Sequence, residues 1–345
     1  MCDGVRIMKE YIVTGATGYL GYILVQKLVG KGYFPIKIII RSPKSFDRFK
    51  GLPIKAAIGD ILDKDFISKQ ITPGSVIFHL AGVIDIGTVK NKLIYDINVK
   101  GCQNIVDACI QNKAEKLIYT SSVSVIKPLK NNKLMKEPTV FEPKILAGHY
   151  AKSKAMATQY IIDKSKNEGL NAVVVYPSAI IGPYDYNISN LGQVVLDYIN
   201  HRLTAYVKGG YNFVDVRDVA DGLINCNEKG KSGEGYILTG ESISLKQMFL
   251  ILNEKLNRSK MPTRLPLPFI KIMLPLAELH YLIRRKKPVF SSCSIKILNQ
   301  NSNFDNTKAK EQLDFKPRSA RESLCDMVDW LFKNKANLIK QQYLR

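Results

Sequence analysis

The segment from Lys9 to Gly21 constrains the fold of this chain more than any other. Lys9-Glu10-Tyr11-Ile12-Val13 is a short apolar run that leads directly into Thr14-Gly15-Ala16-Thr17-Gly18-Tyr19-Leu20-Gly21. The sequence reads as a strand, a glycine turn and a helix start, the helix continuing through Tyr22-Ile23-Leu24-Val25-Gln26-Lys27-Leu28-Val29. Gly15 allows a tight turn, Gly18 lets the backbone approach a phosphate, and Gly21 permits close packing of helix on strand. An anion then sits at the helix N-terminus, where unpaired N–H groups and the helix dipole favour negative charge. The expected ligand is a dinucleotide pyrophosphate, with Thr17, Tyr19 and Leu20 beside the glycines in the cradle. A turn of this kind can also simply join a strand to a helix, so its surroundings decide its meaning.

Those surroundings repeat the pattern. Ile36-Lys37-Ile38-Ile39-Ile40 predicts a second strand, 54–58 a third, Val76-Ile77-Phe78-His79-Leu80 a fourth, 116–120 a fifth and Ala172-Val173-Val174-Val175-Tyr176 a sixth. Helical patterns lie between them, notably over 91–111 and 149–166. Strands this apolar, separated by helices, predict an α/β fold: a Rossmann-type doubly wound parallel sheet covered on both faces. Ligands in such sheets bind at the carboxyl ends of the strands. After Tyr176 the rhythm breaks into turns and one helix near 191–200. The stretches 213–226 and 236–238 read as a return to the sheet. From Gly240 onward the pattern is irregular, apart from amphipathic helices at 245–256 and near 321–332. The expected organisation is a dinucleotide-binding domain over 1–178, with 211–238 returning to it. A smaller, discontinuous, mainly C-terminal substrate-binding portion covers 179–210 and 239–345.

Composition narrows the partners. With 345 residues and 46% hydrophobic content the chain can bury a large core. Its net charge of +21 comes mostly from lysines spread along the chain. A nucleic-acid reader more often clusters arginines among aromatics, so a solvated lysine-rich surface is expected and nucleic acid is not. Part of that field serves to draw in a phosphate-rich cofactor. Cysteines 2, 102, 109, 226, 293 and 325 form no Cys-x-x-Cys and do not pair with the four histidines. No metal is therefore expected, and a reducing cytoplasm is the natural compartment. Residues 1–10 lack the apolar core of a signal peptide. The stretch 266–285, followed by Lys286-Lys287, is interrupted by Lys271, Glu278, His280 and three prolines. A membrane-spanning helix needs ~20 apolar residues, so a substrate-side helix is expected here, with weak peripheral contact to anionic lipid as the alternative.

Tyr150-Ala151-Lys152-Ser153-Lys154 places a tyrosine and a lysine four residues apart, on one helix face. A free phenol has a pKa of about 10 and is a reluctant proton donor at neutral pH. A neighbouring ammonium stabilises the phenolate and brings that value down. Alone, the pair is common surface decoration. The fifth strand, however, ends in Tyr119-Thr120-Ser121-Ser122-Val123-Ser124, which puts hydroxyls where such a sheet holds its ligand. Ser122 then hydrogen-bonds a substrate oxygen while Tyr150 transfers the proton. The plainer reading of these serines is local turn chemistry.

Taken together the motifs resemble those of the extended short-chain dehydrogenases/reductases, the group that includes NAD-dependent epimerase/dehydratases, dihydroflavonol reductases and 3β-hydroxysteroid dehydrogenases. The matching residues are the glycine turn at 14–21, Gly59-Asp60, His79-Leu80-Ala81-Gly82 and Asn98-Val99-Lys100-Gly101. They continue with Thr120-Ser121-Ser122, Tyr150 with Lys154, Tyr176-Pro177-Ser178 through Gly182-Pro183, and Phe213-Val214-Asp215-Val216-Arg217-Asp218-Val219-Ala220. The tail 303–309 and 315–318 is similar too. The resemblance implies that Tyr150 is the general acid/base, that Lys154 holds the nicotinamide ribose and lowers the tyrosine pKa, and that Ser122 polarises the carbonyl. It further implies that Asp60 and Ile61 meet the adenine, and that Leu80, Ala81 and Gly82 line the cofactor path. Thr120, Ser121, Tyr176, Pro177 and Ser178 fall at the nicotinamide end, and Asn98 buttresses the site. A homodimer is expected on the same ground.

The second strand ends in Ile40-Arg41-Ser42-Pro43-Lys44, without the acidic residue that would accept from a free ribose 2′-hydroxyl. Arg41 suits bidentate phosphate binding and Lys44 adds a second charge, so NADP(H) is expected over NAD(H). Stacking of Arg41 on adenine is the plainer reading. Val123-Ser124 stands where similar 4,6-dehydratases carry Asp-Glu, which argues against water loss. Tyr211-Asn212 stands where nucleotide-sugar epimerases place an arginine, which argues against a sugar diphosphate. The expected substrate is instead an apolar or ring-shaped ketone or alcohol, met by Val83, Ser124, Tyr184, Tyr186 and Tyr211, with Tyr206 and Phe213 nearby. The resulting expectation is an NADP(H)-dependent oxidoreductase of CH–OH groups. The alternatives are a sugar or sugar-nucleotide epimerase using NAD(H), and a non-catalytic NADPH-binding sensor or scaffold.

Overall fold

In a computed structural model, which describes residues 9–85, 91–270 and 292–340, the apolar runs of the first half form strands β1 (Tyr11–Thr14), β2 (Ile36–Ile40), β3 (Ile54–Ile58), β4 (Val76–His79), β5 (Lys116–Thr120) and β6 (Ala172–Pro177). Further on come β7 (Ala179–Ile181), β8 (Ala205–Val207), β9 (Gly210–Asp215), β10 (Gly235–Leu238), β11 (Glu241–Ser244) and β12 (Thr263–Leu265). A seven-stranded sheet has the spatial order β10-β6-β5-β4-β1-β2-β3, and its strands pair in parallel. The order reverses between β1 and β4, which opens a crevice at their carboxyl ends. Thr14 and His79 face each other across that point.

Both faces of the sheet are covered, which is why β1 and β4 are buried along their whole length. The chain order supplies α1 (Tyr19–Gly30), α2 (Lys64–Gln70), α3 (Lys92–Tyr95), a π turn at Asp96–Gly101, α4 (Cys102–Gln111), α5 (Gly148–Glu168), α6 (Asn190–Ile199), α7 (Val216–Lys229) and α8 (Leu245–Lys255). On one face Leu24 and Leu28 of α1 and Val219 and Leu223 of α7 pack with Val13, Ile38 and Phe78. On the other, Ile105 and Val106 of α4 and Ala155 and Ile161 of α5 pack with Ile12, Ile77, Leu117 and Val174. The helix α5 ends where Gly169 turns left-handed at φ 69°. Among the described residues no helix is long and apolar enough to cross a membrane.

The second half departs from the expected return to the sheet. Among the described residues after β6, only β10 joins the seven-stranded sheet. The strand that contains Phe213 pairs instead with β7 in parallel and β11 in antiparallel fashion, forming a separate three-stranded sheet. Residues 216–229 are helix, because the Asp215 carboxylate accepts the Arg217 N–H at 2.8 Å and starts α7 there. The region after Gly240 is also more regular than its pattern predicts, with β11, α8, β12 and helices at Thr307–Leu313 and Ala320–Asn334. Phe213, Phe249, Leu324 and Leu331 build a core of their own under the small sheet. Ala309, Leu313 and Phe315, expected on the substrate side, pack instead with α1 and α7. Residues 271–291, which include most of the 266–285 stretch, lie outside the described residues.

Buried charge links the two layers. Asp215 also accepts the Arg217 guanidinium at 2.8 and 2.7 Å, and Arg217 reaches Asp326 on the last helix at 2.7 Å. Arg318 pairs with Asp218 on α7 and lies 3.1 Å from Glu322.

Candidate active site

The glycine turn sits against the end of β4. Gly15 adopts φ +73°, and a Cβ there would lie 2.6 Å from the Ala81 nitrogen, so only glycine fits. A Cβ on Gly21 would fall 2.2 Å from the Gly15 carbonyl oxygen, which fixes how closely α1 packs on the turn. Gly18 is the N-cap of α1 and offers no side chain to its N–H groups, and the first turn holds no acidic residue. These donors suit an anion, so the cradle fits a dinucleotide pyrophosphate. The Thr17 carbonyl accepts from the Asn187 amide at 3.0 Å. Leu20 packs against the core. The Tyr19 phenol donates to the Gly182 carbonyl at 2.5 Å and is turned into the protein, where burial raises its pKa.

Along the crevice the other expected positions follow. Arg41 and Lys44 are both exposed just after β2. Asp60 accepts the Leu62 N–H at 2.9 Å in the turn after β3. Ile61 packs on Gly101, where a Cβ would lie 2.6 Å from it, and its carbonyl accepts from Asn104 at 2.9 Å. Leu80 and Ala81 bond back to Thr14 through their N–H groups, at 3.2 and 3.3 Å. A Cβ on Gly82 would lie 3.3 Å from both Lys154 Nζ and Asn98 Oδ1, so the bare backbone passes directly over these two groups. Asn98, on the π turn, holds the Val83 N–H and carbonyl at 2.8 and 3.0 Å and donates to Ser153 Oγ at 2.9 Å. It thereby ties the loop after β4 to α5, the buttress expected of it.

At the end of β5 the structure brings together Ser122, Tyr150 and Lys154. The Ser122 hydroxyl accepts the Ser124 N–H at 3.2 Å and interacts with the Tyr150 phenol. Burial pushes Tyr150 up to about 12, and Ser122 partly offsets this. Lys154 is buried, and its Nζ donates to the Thr120 carbonyl at 2.8 Å and to the Tyr119 phenol oxygen at 3.3 Å. The sequence predicts that Lys154 lowers the Tyr150 pKa, and the geometry corrects this. The ammonium is held by β5 and the phenol remains high. Burial brings Lys154 itself down to about 8.

Some expected residues point elsewhere. The Ser121 hydroxyl bonds Thr158 on α5 at 2.7 Å, which makes it a packing contact. Tyr176 is fully buried with its ring over Gly235, so only its backbone can face the crevice. Tyr184 is exposed at φ +71°, its ring 6.4 Å from Trp330. Tyr186 stands edge-on to Trp330 at 5.0 Å and to Tyr22 at 5.1 Å, under the Arg48 guanidinium. Both pack on Trp330, and neither lines the cavity past the end of β5. Tyr206 and Phe213 fill the core of the small sheet. Aromatic composition alone cannot distinguish these surfaces.

A cavity of about 100 Å³ opens against Val123 and Ser124, just past the end of β5. Ser124 and Tyr211, expected to meet substrate, line it together with Ser178, expected at the nicotinamide end, and with Asn212, Met135 and Phe304 that sequence reasoning missed. Burial pushes the Tyr211 phenol up to about 12. Met135 and Phe304 meet because the Met135 N–H donates to the Asn303 carbonyl at 2.9 Å and its carbonyl accepts from Asp305 at 2.8 Å. The tail motif at 303–309 was the available signal for this contact. His79 is a further buried group near the crevice. Its Nδ1 lies 2.7 Å from Thr14 Oγ1, and burial pushes its pKa down to about 3, so the ring is neutral.

Comparison with known proteins agrees with this architecture. Residues 12–225 match the 3-beta hydroxysteroid dehydrogenase/isomerase family. A putative dihydroflavonol 4-reductase of Synechocystis sp. is 31% identical over 337 residues, covering 94% of this chain and 94% of that protein. The crystal structure of gox2253 superposes with a TM-score of 0.84 at 27% identity, over 96% of this chain and all of the other. UDP-glucuronic acid 4-epimerase from Bacillus cereus, solved with UDP-glucuronic acid and NAD, has a TM-score of 0.73 at 18% identity. It covers 94% of this chain and 99% of its own, which is a likeness of fold.

Proposed function

The chain belongs to the 3-beta hydroxysteroid dehydrogenase/isomerase family, within the extended short-chain dehydrogenases/reductases, and on that premise we propose that it is an NADP(H)-dependent carbonyl reductase or alcohol dehydrogenase. The observation that carries this reading is the meeting of Ser122, Tyr150 and Lys154 beside Gly82, at the carboxyl edge of β5 and next to a cavity. A bound reduced nicotinamide supplies the hydride that the carbonyl carbon gains. Ser122 holds the carbonyl oxygen through its hydroxyl. Tyr150, whose high pKa keeps it protonated at neutral pH, delivers the proton to that oxygen and leaves an alcohol. Lys154 holds the nicotinamide ribose. Arg41 and Lys44 take the ribose 2′-phosphate, and Asp60 with Ile61 meets the adenine.

The cavity wall favours a carbonyl compound over a sugar diphosphate. At the position where an arginine would grip a diphosphate, Asn212 has its amide committed to Gly240 and Ser242. The test is consumption of NADPH, followed by absorbance, against aldehydes, cyclic ketones, steroids and UDP-sugars. Consumption with a ketone or aldehyde supports the proposal. Interconversion of a UDP-sugar with no net change in cofactor would overturn it.

A further inference from the structure

Thr14, His79 and Tyr119 form a buried polar row across the seven-stranded sheet, beneath the crevice. Thr14 of β1 is in register with His79 of β4, and His79 with Tyr119 of β5, so their side chains project from one face. His79 Nδ1 lies 2.7 Å from Thr14 Oγ1, and its ring stacks on that of Tyr119 with centroids 5.6 Å apart. Thr14 directly precedes Gly15 of the glycine turn, and its hydroxyl also accepts the Ala81 N–H at 3.3 Å. At the other end of the row the Tyr119 phenol oxygen is 3.3 Å from Lys154 Nζ. The row two residues earlier, Ile12, Ile77 and Leu117, is wholly apolar. Burying polar groups in its neighbour is costly, so their alignment toward Lys154 needs a reason.

The ammonium at the end of the row has most of its donors assigned. A lysine ammonium carries three N–H groups and no acceptor. One donates to the Thr120 carbonyl at 2.8 Å and one to the Tyr119 oxygen at 3.3 Å. A Cβ on Gly82 would lie 3.3 Å from Nζ, so the remaining N–H is left where bare backbone borders the crevice. The titratable groups around Lys154 are His79 on β4, Tyr119 on β5, Cys102 at the start of α4 and Tyr150 on α5. Burial pushes His79 down to about 3, Cys102 and Tyr150 up to about 12, and Tyr119 well above the usual phenol range. These four are therefore uncharged near neutral pH, and Lys154, brought down to about 8, titrates alone there.

We propose that the row Thr14–His79–Tyr119 positions Lys154, fixing its ammonium so that a single N–H is left for the nicotinamide ribose. Tyr119 is fully buried, so it is a positioning residue and acts through Lys154. This inference rests on the reading of Lys154 as the residue that holds that ribose. Because the row starts at the residue before Gly15, one line of contacts joins the pyrophosphate turn to the ribose-holding ammonium. Removing the phenol oxygen leaves a buried N–H without an acceptor, which disfavours the charged form of the lysine. The loss of one hydrogen bond from a charged donor corresponds to a fall of about one unit in the Lys154 pKa.

The experiment follows the Lys154 ammonium directly, by NMR of the intact protein labelled with carbon-13 at lysine Cε. The Lys154 resonance is identified by its loss in Lys154→Met, and the Kd for NADPH is measured by fluorescence across the same pH range. Tyr119→Phe keeps the ring and its stacking and removes the hydroxyl. Thr14→Val keeps the shape and breaks the bond to His79. Tyr119→Phe is expected to lower the Lys154 midpoint by about one pH unit. NADPH binding should then weaken about fivefold at about pH 8 and less than about twofold at about pH 6, because binding must first protonate the lysine. Thr14→Val is expected to act in the same direction to a smaller extent. A packing defect alone would weaken NADPH binding equally at both pH values. An unchanged midpoint in either variant, or a pH-independent loss of affinity in Tyr119→Phe, overturns the inference. If the midpoint shifts while NADPH affinity stays at the parent value throughout, the contact stands and the reading of Lys154 at the ribose fails.

Discussion

Lys154 and Tyr119 are joined twice, with the ammonium nitrogen 3.3 Å from the phenol oxygen and 4.7 Å from the centre of the same ring. The ring in turn stacks on His79 at 5.6 Å. The Thr120 carbonyl at 2.8 Å completes the environment, and no carboxylate is among these partners. A dipole and a π face support a buried cation less well than an anion does, so Lys154 gives up its proton more easily than a surface lysine.

The pH dependence of stability follows with a definite sign. The Lys154 pKa falls from the ordinary 10.5 to about 8 on folding. Between those values the unfolded chain binds more protons, so this group favours the folded state increasingly as pH rises. Below about pH 8 the penalty is fully present. Denaturant melts of the parent chain and Lys154→Met at pH 7.5 and 10.5 measure it. The difference should move in favour of the parent chain at the higher pH, and a flat difference contradicts a buried charge.

Proton delivery by Tyr150 is tested by Tyr150→Phe. Carbonyl reduction should fall by about 10²–10⁴ while NADPH affinity changes little, because general acid catalysis is lost and packing is kept. Stopped-flow turnover with fluorescence titration of NADPH separates the two, and retained turnover would falsify the role.

Cofactor choice depends on Arg41 and Lys44. Arg41→Ala should raise the KM for NADPH by roughly 10–100-fold and leave that for NADH nearly unchanged, since charge-assisted phosphate bonds are strong. Lys44→Ala should have a smaller effect in the same direction. A parent chain that prefers NADH removes the proposed role of both.

Gly15 and Gly32 provide a matched pair. Both have positive φ, at +73° and +77°, but only at Gly15 would a Cβ meet anything, the Ala81 backbone at 2.6 Å. Gly32→Ala should cost about 1–2 kcal/mol from conformation alone and leave cofactor binding intact. Gly15→Ala should destabilise more and abolish measurable NADPH affinity. Thermal melts with and without NADPH distinguish them.

The buried carboxylate of Asp215 gives a stability test remote from the site. Arg217→Met removes the nearer cation from that carboxylate, leaving Arg318 at 3.9 Å, and should cost about 3 kcal/mol, and adding Asp215→Asn should recover part of it. Absence of any recovery in urea melts would show that the ion pair is not the cause.

The sequence predicted most where a single physical requirement dominates. β2, β3 and β5 have the expected ends because short, mostly apolar runs are flanked by turns. Ser122, Tyr150 and Lys154 converge because a strand end and the face of one helix place them. The small sheet is not legible because β7 is only three residues long and Phe213 alternates with Asn212, so an isolated fragment cannot say which sheet it joins. The helix start at Asp215 had a local signal, a capping aspartate, which the apolar run around it obscured. Tyr184 and Tyr186 were misplaced for another reason: an aromatic ring suits a pocket and a packed surface equally. The contact of Met135 with Phe304 joins residues too distant for any periodicity to link.

The course of the chain after Pro177 has one further consequence. It passes from β6 to the small sheet, returns as α7 and β10, leaves again at β11, and comes back at Thr307–Leu313 before its last helix. Each passage is a covalent tether between the seven-stranded sheet and the small sheet. Substrate preference therefore cannot be transplanted between relatives as one cassette. A splice at Gly240, for example, would divide the core that holds Val214 and Leu313 and the core that holds Phe213 and Phe249 at once, and the cavity wall draws on both sides of it, so exchanging that wall requires several coordinated junctions.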